Sequence, residues 1–311
     1  MENRILGIHH ITAIAGYAKR NYDFYTKVLG FRFIKKTVNF DDPKTYHFYF
    51  GDEVGSPGTI LTFFPWEGVP RGKQGSGMPT EIGYSVPEGS LAFWTHRLKE
   101  YYVNVTATGT RFGEGYIAFE DPDGLPLTLI IPKTTDGRKP WETDEVKADV
   151  ATRGFHSITL TLTSVKETAS VLTDIFGYEF SGQEGNRYRY TTDAVETASI
   201  VDLIDAPNEK RTGNAGGTIH HVAFRVKDEN VLMEFRARVL EKGLNITEKI
   251  DRNYFFSLYF REPGGVLFEI ASDTPGFSID EPVSELGKNL KLPAQYESHR
   301  KQIEAALPSL V

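Results

Sequence analysis

Two pairs of adjacent histidines and one glutamate are the residues of this sequence best suited to metal chemistry. The pairs His9-His10 and His220-His221 each open a short apolar run, and Glu269 interrupts the apolar run Val-Leu-Phe-Glu-Ile-Ala. Burying a lone carboxylate in such a strand costs on the order of several kcal/mol, so the carboxylate needs a partner. Imidazole nitrogens and a carboxylate oxygen together bind first-row transition metals. We therefore predict that His10, His221 and Glu269 bind a metal ion.

The chemistry of this ligand set limits the reactions that it supports. Two imidazoles and one carboxylate leave several coordination positions open, as in the iron(II) oxygenases that bind substrate and dioxygen on one metal. Zinc hydrolases use the same ligand types, so the ligands alone do not identify the metal. The 311 residues include no cysteine, which excludes disulfides, iron–sulfur clusters, thiolate ligands and a cysteine nucleophile.

Four related segments must position these residues, because the strand that carries the first histidine pair recurs along the chain. The run Ile8–Ile14 returns as Ile219–Phe224, more weakly as Phe155–Leu160 and most weakly as Thr80–Ser85. The spacings between the copies are 71, 75 and 65 residues, which is regular enough for one repeated unit. The equivalent positions in this alignment are 10, 81, 156 and 221.

The direction of each histidine follows from strand geometry, since successive side chains alternate between the two faces of a sheet. If the opening strands are regular, His10 and His221 face one cavity, whereas His9 and His220 point to the other face. The first copy has only a threonine, Thr62, where the fourth copy has its glutamate. A site shared by the first and fourth copies would therefore have three protein ligands and a poor fourth.

A segment with helical periodicity and then a β-hairpin follow each opening strand. The predicted helices are Asn21–Leu29, Leu91–Tyr101, Val165–Phe176 and Val231–Glu241. Turn residues at Asp121–Gly124 and Glu262–Gly265 mark two of the closing hairpins. The repeated unit is therefore βαβββ. We predict an α+β fold in which four βαβββ modules are arranged as two half-barrel domains, followed by a C-terminal tail.

The modules divide the chain into two predicted domains that are joined by a polar, charged linker. The predicted bounds are 1–135 for an N-terminal domain with modules one and two, 136–153 for the linker, 154–271 for a C-terminal domain with modules three and four, and 272–311 for a C-terminal extension. Within the extension, Ala294–Leu307 is a candidate helix. The glycine-rich connections Pro65–Pro79 and Asp205–Gly217 are predicted loops over a pocket.

Charge and hydropathy argue against several classes of partner. The formal net charge is −7, and Lys and Arg are scattered, so the basic stripe of a nucleic-acid-binding protein is absent from the sequence. No stretch approaches the roughly 18 apolar residues that indicate a membrane span. The N-terminus lacks the hydrophobic core of a signal peptide. We expect a cytoplasmic protein with a small-molecule substrate and leave a homo-oligomer open.

The four repeats, with His and Glu at these places, resemble the vicinal oxygen chelate superfamily of glyoxalase I, bleomycin-resistance proteins and extradiol dioxygenases. The resemblance is closest to the hydroquinone-type ring-cleaving dioxygenases, and it covers nearly the whole chain. The matching motifs are Leu6–Thr12, Tyr46–Phe50, Pro57–Ile60, Gly109–Gly113, Arg153–Ser157, Ile219–His221 and Pro263–Glu269.

This resemblance implies roles for seven residues. The implied ligands of iron(II) are His10, His221 and Glu269. Roles beside the metal or the substrate are implied for Thr12, His220, Arg252 and Tyr259. The implied reaction is the O2-dependent opening of an aromatic ring with para hydroxyl groups, in which His220 or Tyr259 is suited to moving a proton.

Other interpretations stay open at the level of the sequence. Catechol-cleaving members of the superfamily use the third and fourth copies, which would replace His10 by His156, and a separate site of Glu81, His156 and Asp202 is also conceivable. The doubled histidine of the first and fourth copies favours His10. Alternative functions are a glyoxalase-like lyase or isomerase and a non-enzymatic quinone- or drug-binding protein. The former would need an acidic ligand in place of a threonine, and the latter would not need a buried glutamate.

Overall fold

Sixteen β-strands form two eight-stranded sheets in the computed structural model, which describes residues 3–310. Module one contains β1 (Ile8–Ala15), α1 (Ala18–Asp23), β2 (Arg32–Val38), β3 (Tyr46–Gly51) and β4 (Ile60–Pro65). Module two contains β5 (Met78–Ser85), α2 (Leu91–Glu100), β6 (Val105–Arg111), β7 (Glu114–Glu120) and β8 (Pro126–Ile130). Module three contains β9 (Gly154–Leu162), α3 (Lys166–Ser170), β10 (Glu179–Glu184), β11 (Arg187–Thr191) and β12 (Ile200–Asp205). Module four contains β13 (Ile219–Val226), α4 (Glu229–Glu241), β14 (Ile250–Asp251), β15 (Phe255–Arg261) and β16 (Leu267–Pro275). The predicted α+β fold of four βαβββ modules is confirmed.

The helices of modules one and three are lengthened by a wider turn. α1 continues into a π-helical turn at Phe24–Val28, and α3 continues into one at Val171–Ile175. A glycine with positive φ follows each turn, Gly30 at 70° and Gly177 at 77°. Glycine adopts this backbone conformation without a side-chain clash, so it ends the helix there. The helices predicted for these two modules are therefore present.

Each sheet curls into a half-barrel and combines two modules. The strand orders are β14-β15-β16-β13-β1-β4-β3-β2 and β10-β11-β12-β9-β5-β8-β7-β6. Modules one and four thus share one sheet, here called the outer-module sheet, and modules two and three share the inner-module sheet. Neither sheet lies within residues 1–135 or 154–271, so the modules do not pair as the predicted halves of the chain do. The antiparallel pairs β1–β13 and β5–β9 make these junctions, and repeat spacing contains no information on which distant strands will pair.

Single-residue bulges interrupt the central strand pair of both sheets. In the outer-module sheet, His9 and His220 are the extra residues, and in the inner-module sheet Thr80 and His156 take these places. A bulge changes the direction of the side chains around it. The expectation that regular strands turn His9 and His220 to the opposite face is therefore wrong.

The bulges also correct the alignment of the third copy. Thr12 pairs with His221 in the outer-module sheet, and the equivalent pair of the inner-module sheet is Gly83 with Ser157. Ser157, rather than His156, is therefore the counterpart of His221. The sequence alignment slipped by one residue because the third copy retains only the first histidine of the pair. In a strand, such a slip exchanges the two faces.

The C-terminal extension folds back onto β2 of module one. Lys35 on this strand is fully buried, and its ammonium group donates to Oδ1 of Asp280 at 2.7 Å and to Oε1 of Glu281. The helix predicted in this extension is α-helical only in α5 (Arg300–Ala306), which follows a 3-10 segment at Ala294–His299. Among residues 3–310, no helix is long and apolar enough to span a membrane.

Candidate metal centre

The middle of the outer-module sheet brings together three side chains from three strands. His10 lies on β1, His221 on β13 and Glu269 on β16, and β13 pairs with both neighbours. The remaining residues of these strands are largely apolar and buried. Their burial holds the strands in one register, because a slip of one residue would expose the apolar face. This register sets the histidines and the glutamate side by side.

The ligand atoms of these three residues converge on one point. Nε2 of His221 lies 2.8 Å from Oε2 of Glu269, and Nε2 of His10 lies 3.2 Å from the same oxygen. The two imidazole nitrogens are 3.4 Å apart. All three side chains are buried, and their ligand atoms lie within 4.8 Å of one another. Within residues 3–310, this is the one cluster of three or more His, Asp or Glu with such spacing.

The first member of each histidine pair holds the ring of the second. Nδ1 of His9 lies 2.9 Å from Nδ1 of His10, and Nδ1 of His220 lies 2.8 Å from Nδ1 of His221. Burial and the neighbouring ring of the pair lower the pKa of His9 well below its usual value and that of His220 to about 3. Both rings are therefore neutral, and Nδ1 of each can accept a hydrogen bond from Nδ1 of the following histidine. Metal-binding histidines commonly donate from the ring nitrogen that does not bind the metal.

The ligand atoms of this cluster fit a cation. Ser257 donates to Oε1 of Glu269, but Oε2 receives no well-directed hydrogen bond from the described residues. Burial raises the pKa of Glu269, yet the imidazoles of His10 and His221 outweigh burial and hold this pKa well below its usual value. An ionised carboxylate thus faces two ring nitrogens whose opposite nitrogens are already hydrogen-bonded. A divalent metal ion would satisfy all three ligand atoms.

A cavity of about 230 Å³ opens beside these side chains. Phe64, Trp66 and Phe255 are among the aromatic residues of its wall. The wall also includes all four residues to which the sequence resemblance assigned roles, Thr12, His220, Arg252 and Tyr259. The structure therefore brings together all seven site residues that were predicted, although their roles remain predictions.

Arg252 and Tyr259 form one unit of the cavity wall. The guanidinium carbon of Arg252 lies 5.3 Å from the centre of the Tyr259 ring, and Tyr259 pairs across the sheet with Glu269. Burial and the charge of Glu269 raise the pKa of Tyr259, so its phenol stays protonated. The cavity therefore offers a phenolic hydrogen-bond donor and a positive charge close to the candidate metal ligands.

Sequence reasoning missed three polar residues at this centre. His47 and Tyr49 on β3 line the cavity, and Ser257 on β15 holds the carboxylate of Glu269. A signal for the first two was present in the run Tyr-His-Phe-Tyr-Phe, which places His47 and Tyr49 on one face of a strand. The role of Ser257 had no such signal, because a serine between apolar residues is common in strands.

The residues of the alternative metal sites lie apart from this centre. His156 belongs to the inner-module sheet, where its Nε2 lies 3.1 Å from Oε1 of Glu114. Glu81 and Asp202 also belong to that sheet, and arginine side chains donate to both carboxylates. Among the described residues, these three side chains form no cluster with metal-binding spacing.

Fold and site together define the class of protein. Residues 7–129 and 154–270 match the Glyoxalase/Bleomycin resistance protein/Dioxygenase superfamily, and the chain belongs to this family. The chain is 45% identical to the "Putative ring-cleaving dioxygenase MhqO" of Bacillus subtilis, over 99% of this chain and 97% of that protein. It is 38% identical to the chlorohydroquinone/hydroquinone 1,2-dioxygenase of Sphingobium indicum, over 97% of this chain and 96% of that protein.

A solved structure shows the same fold over the whole chain. The crystal structure of a Bacillus subtilis protein superposes with a TM-score of 0.95 at 44% identity, and the match covers 100% of this chain and 99% of the other. Together with the named relatives, this similarity supports a dioxygenase built on this fold.

Proposed function

We propose that this protein is an Fe(II)-dependent dioxygenase that cleaves the ring of a hydroquinone-type aromatic substrate with O2. The observation that carries the proposal is the convergence of His10, His221 and Glu269 on one point beside an open, aromatic-lined cavity. The relatives named as ring-cleaving and hydroquinone dioxygenases support the reaction class and the type of substrate.

The three residues would hold Fe(II) as two imidazoles and one carboxylate, a set that leaves open positions on the metal. Fe(II) at this point would supply the one-electron chemistry that allows O2 to react with an aromatic diol. Thr62 lies where a glyoxalase-like lyase would need a second acidic ligand, and its hydroxyl is engaged with Thr12. The threonine therefore favours the dioxygenase over the lyase.

The cavity suits a flat ring with oxygen substituents. Phe64, Trp66 and Phe255 would contact the ring, since aromatic side chains provide large apolar surfaces of defined orientation. Arg252 would attract an oxygen atom that gains negative charge when a hydroxyl ionises. His220, whose Nδ1 accepts from His221, has its N–H on Nε2, so both this ring and the protonated Tyr259 can donate a hydrogen bond to a substrate oxygen.

Oxygen uptake by anaerobically purified, Fe(II)-loaded protein tests the proposal, with hydroquinones and catechols as the substrate panel. We expect uptake with hydroquinones that equals the amount of ring-opened product, without hydrogen peroxide, because a dioxygenase places both oxygen atoms in its product. Metal-free protein controls for spontaneous oxidation of the substrate. If protein that contains iron consumes no oxygen with any member of the panel, the proposal is wrong.

A further inference from the structure

In module one, four hydrogen-bonding side chains form a continuous chain that ends at the cavity. Oη of Tyr49 lies 2.9 Å from Nδ1 of His47, and Nε2 of His47 lies 3.0 Å from Oγ1 of Thr62. Oγ1 of Thr62 donates to Oγ1 of Thr12 at 2.8 Å. Thr12 lies opposite His221 in the sheet, so the chain ends next to a candidate metal ligand.

The direction of this chain follows from its donors and acceptors. Burial lowers the pKa of His47 well below its usual value, so its ring is neutral and has one N–H. Thr62 gives its only hydrogen to Thr12, and its oxygen must therefore accept from His47, which places the ring proton on Nε2. Nδ1 of His47 then accepts the hydrogen of Tyr49. All of these hydrogens point from Tyr49 toward Thr12.

Thr12 is the end of the chain. Its oxygen accepts from Thr62, and no residue within 3–310 accepts its hydrogen in return. Because Thr12 lines the cavity, this hydrogen is available to a molecule that binds there. We infer that His47 and Tyr49 are positioning residues, which act through Thr62 to hold the Thr12 hydroxyl as a hydrogen-bond donor to an oxygen atom of the bound substrate. The identity of that substrate rests on the proposed function, whereas the direction of the chain does not.

The internal symmetry of the molecule supports a role beyond packing. Thr62 is the counterpart of the ligand Glu269, since each pairs with a cavity tyrosine, Tyr49 or Tyr259. The side of the metal site without a protein ligand is thus lined by an ordered row of donors. In module two, the equivalent threonine is Thr128, which pairs with an alanine, and its hydroxyl has no hydrogen-bond partner among the described residues. The hydrogen-bond chain is therefore present in module one, which borders the cavity, and its threonine counterpart in module two takes part in no such chain.

The tautomer of His47 in metal-free protein is the first test, because it requires neither iron nor substrate. Nitrogen-15 NMR of histidine-labelled protein reports which ring nitrogen carries the proton, and the spectrum of His47→Gln identifies the His47 signals. We expect the Nε2–H form in the wild type and a mixture of both forms in Tyr49→Phe. Tyr46→Phe is the matched control on the same strand, and we expect no change there, since Tyr46 is not part of the chain.

Substrate binding is the second test and uses a variant at the other end of the chain. Thr62→Val keeps the side-chain shape but frees the Thr12 hydroxyl, so we expect the Kd for hydroquinone, measured anaerobically on metal-loaded protein, to rise by about fivefold at unchanged metal content. If the chain had a merely structural role, this Kd would be unchanged in folded, metal-loaded Thr62→Val.

The outcomes of the two tests are separable. An Nδ1–H tautomer of His47 in the wild type, or an unchanged tautomer in folded Tyr49→Phe, overturns the inference. If Tyr49→Phe does not fold, Thr62→Val decides through the same NMR signals, because loss of the acceptor should also disturb the Nε2–H form. Failure of the proposed function would appear differently, as absence of hydroquinone binding and turnover in wild-type protein that nevertheless shows the expected tautomer.

Discussion

The two half-barrel sheets share one architecture but use the centre of their strands in opposite ways. In the outer-module sheet, the inward positions of β1, β13 and β16 collect two imidazoles and one carboxylate, and Oε2 of this carboxylate has no hydrogen-bond donor among residues 3–310. The sheet register places other residue types at the same positions of the inner-module sheet. These residues are Glu81, Ser157 and Asp202.

Arginine side chains occupy the centre of the inner-module sheet. Nη1 of Arg187 lies 3.1 Å from Oδ2 of Asp202 and 3.6 Å from Oε1 of Glu81. Arg189 donates to Asp202 from Nε at 2.9 Å and to Glu114 from Nη1 at 2.6 Å. The cation that balances these carboxylates is therefore part of the protein chain.

Both sheets provide inward-facing positions at their centre. Whether the balancing cation comes from the protein's own side chains or from solution decides how these positions are used. In a centre closed by its own guanidinium groups, the carboxylates already have cationic partners, and these ion pairs act on stability. A centre whose carboxylate has no guanidinium donor can take a cation from solution and retain open positions for chemistry. Variants of the outer-module centre should therefore change metal binding and activity, whereas variants of the inner-module centre should change the free energy of unfolding.

The largest effect is expected from removing the carboxylate of Glu269, a candidate ligand. Glu269→Gln should lose its iron and reduce oxygen uptake at least about 1,000-fold, since a catalytic metal contributes several kcal/mol to barrier lowering. The matched variant Asp202→Asn, at the equivalent position of the inner-module sheet, should retain both iron and uptake. Metal analysis and oxygen-electrode rates measure this. Iron-containing, active Glu269→Gln protein would show that this carboxylate is not a ligand.

A large effect on stability is expected from removing the internal cation. Arg189→Met would leave Glu114 and Asp202 buried without their main partner, which should lower the free energy of unfolding by about 3 kcal/mol. Iron content of the folded protein should not change. Urea unfolding measures the difference, and Arg4→Met, which breaks a surface pair with Asp193, is the control with an expected loss of less than about 1 kcal/mol. Equal losses in both variants would contradict a special role for the inner-module centre.

A smaller effect is expected from acid. Burial would raise the pKa of Glu114, but His156 and Arg189 lower it to about 2, below the value of about 4.3 in an unfolded chain. The stabilisation is therefore complete above the unfolded value and is lost as the pH falls toward the folded one. Between about pH 5 and pH 3, the wild type should lose about 2 kcal/mol more than Glu114→Gln in unfolding experiments. Parallel curves for the two proteins would show that Glu114 contributes no such linkage.

The smallest effect on catalysis is expected at His156. This residue contacts Glu114 and Ser157 in the inner-module sheet, so His156→Asn should keep its iron and an oxygen uptake within about twofold of the wild type. His10→Asn should lose both. The opposite pattern would move the site to the ligand set that contains His156 and would remove the contrast between the two sheets.

The sequence by itself determined the repeated unit and the candidate ligands. Helical periodicity and hairpin turns are local patterns, and they predicted four βαβββ modules that the structure confirms. The doubled histidines and a glutamate within an apolar strand are also local, since the cost of burying that charge is evident from its neighbours. The seven predicted residues do come together around one cavity, while their functional roles and the identity of the metal stay predictions.

Only the tertiary structure decided how these parts are combined. The pairing of module one with module four depends on hydrogen bonds between strands more than 200 residues apart in the chain. The bulges at His9 and His220 reverse an expectation based on regular strands, because one extra residue changes side-chain direction without changing the apolar pattern. The ion pairs of the inner-module centre and the hydrogen-bond chain Tyr49–His47–Thr62–Thr12 join residues of different strands. Their contacts arise only when each half-barrel closes and sets those strands in register.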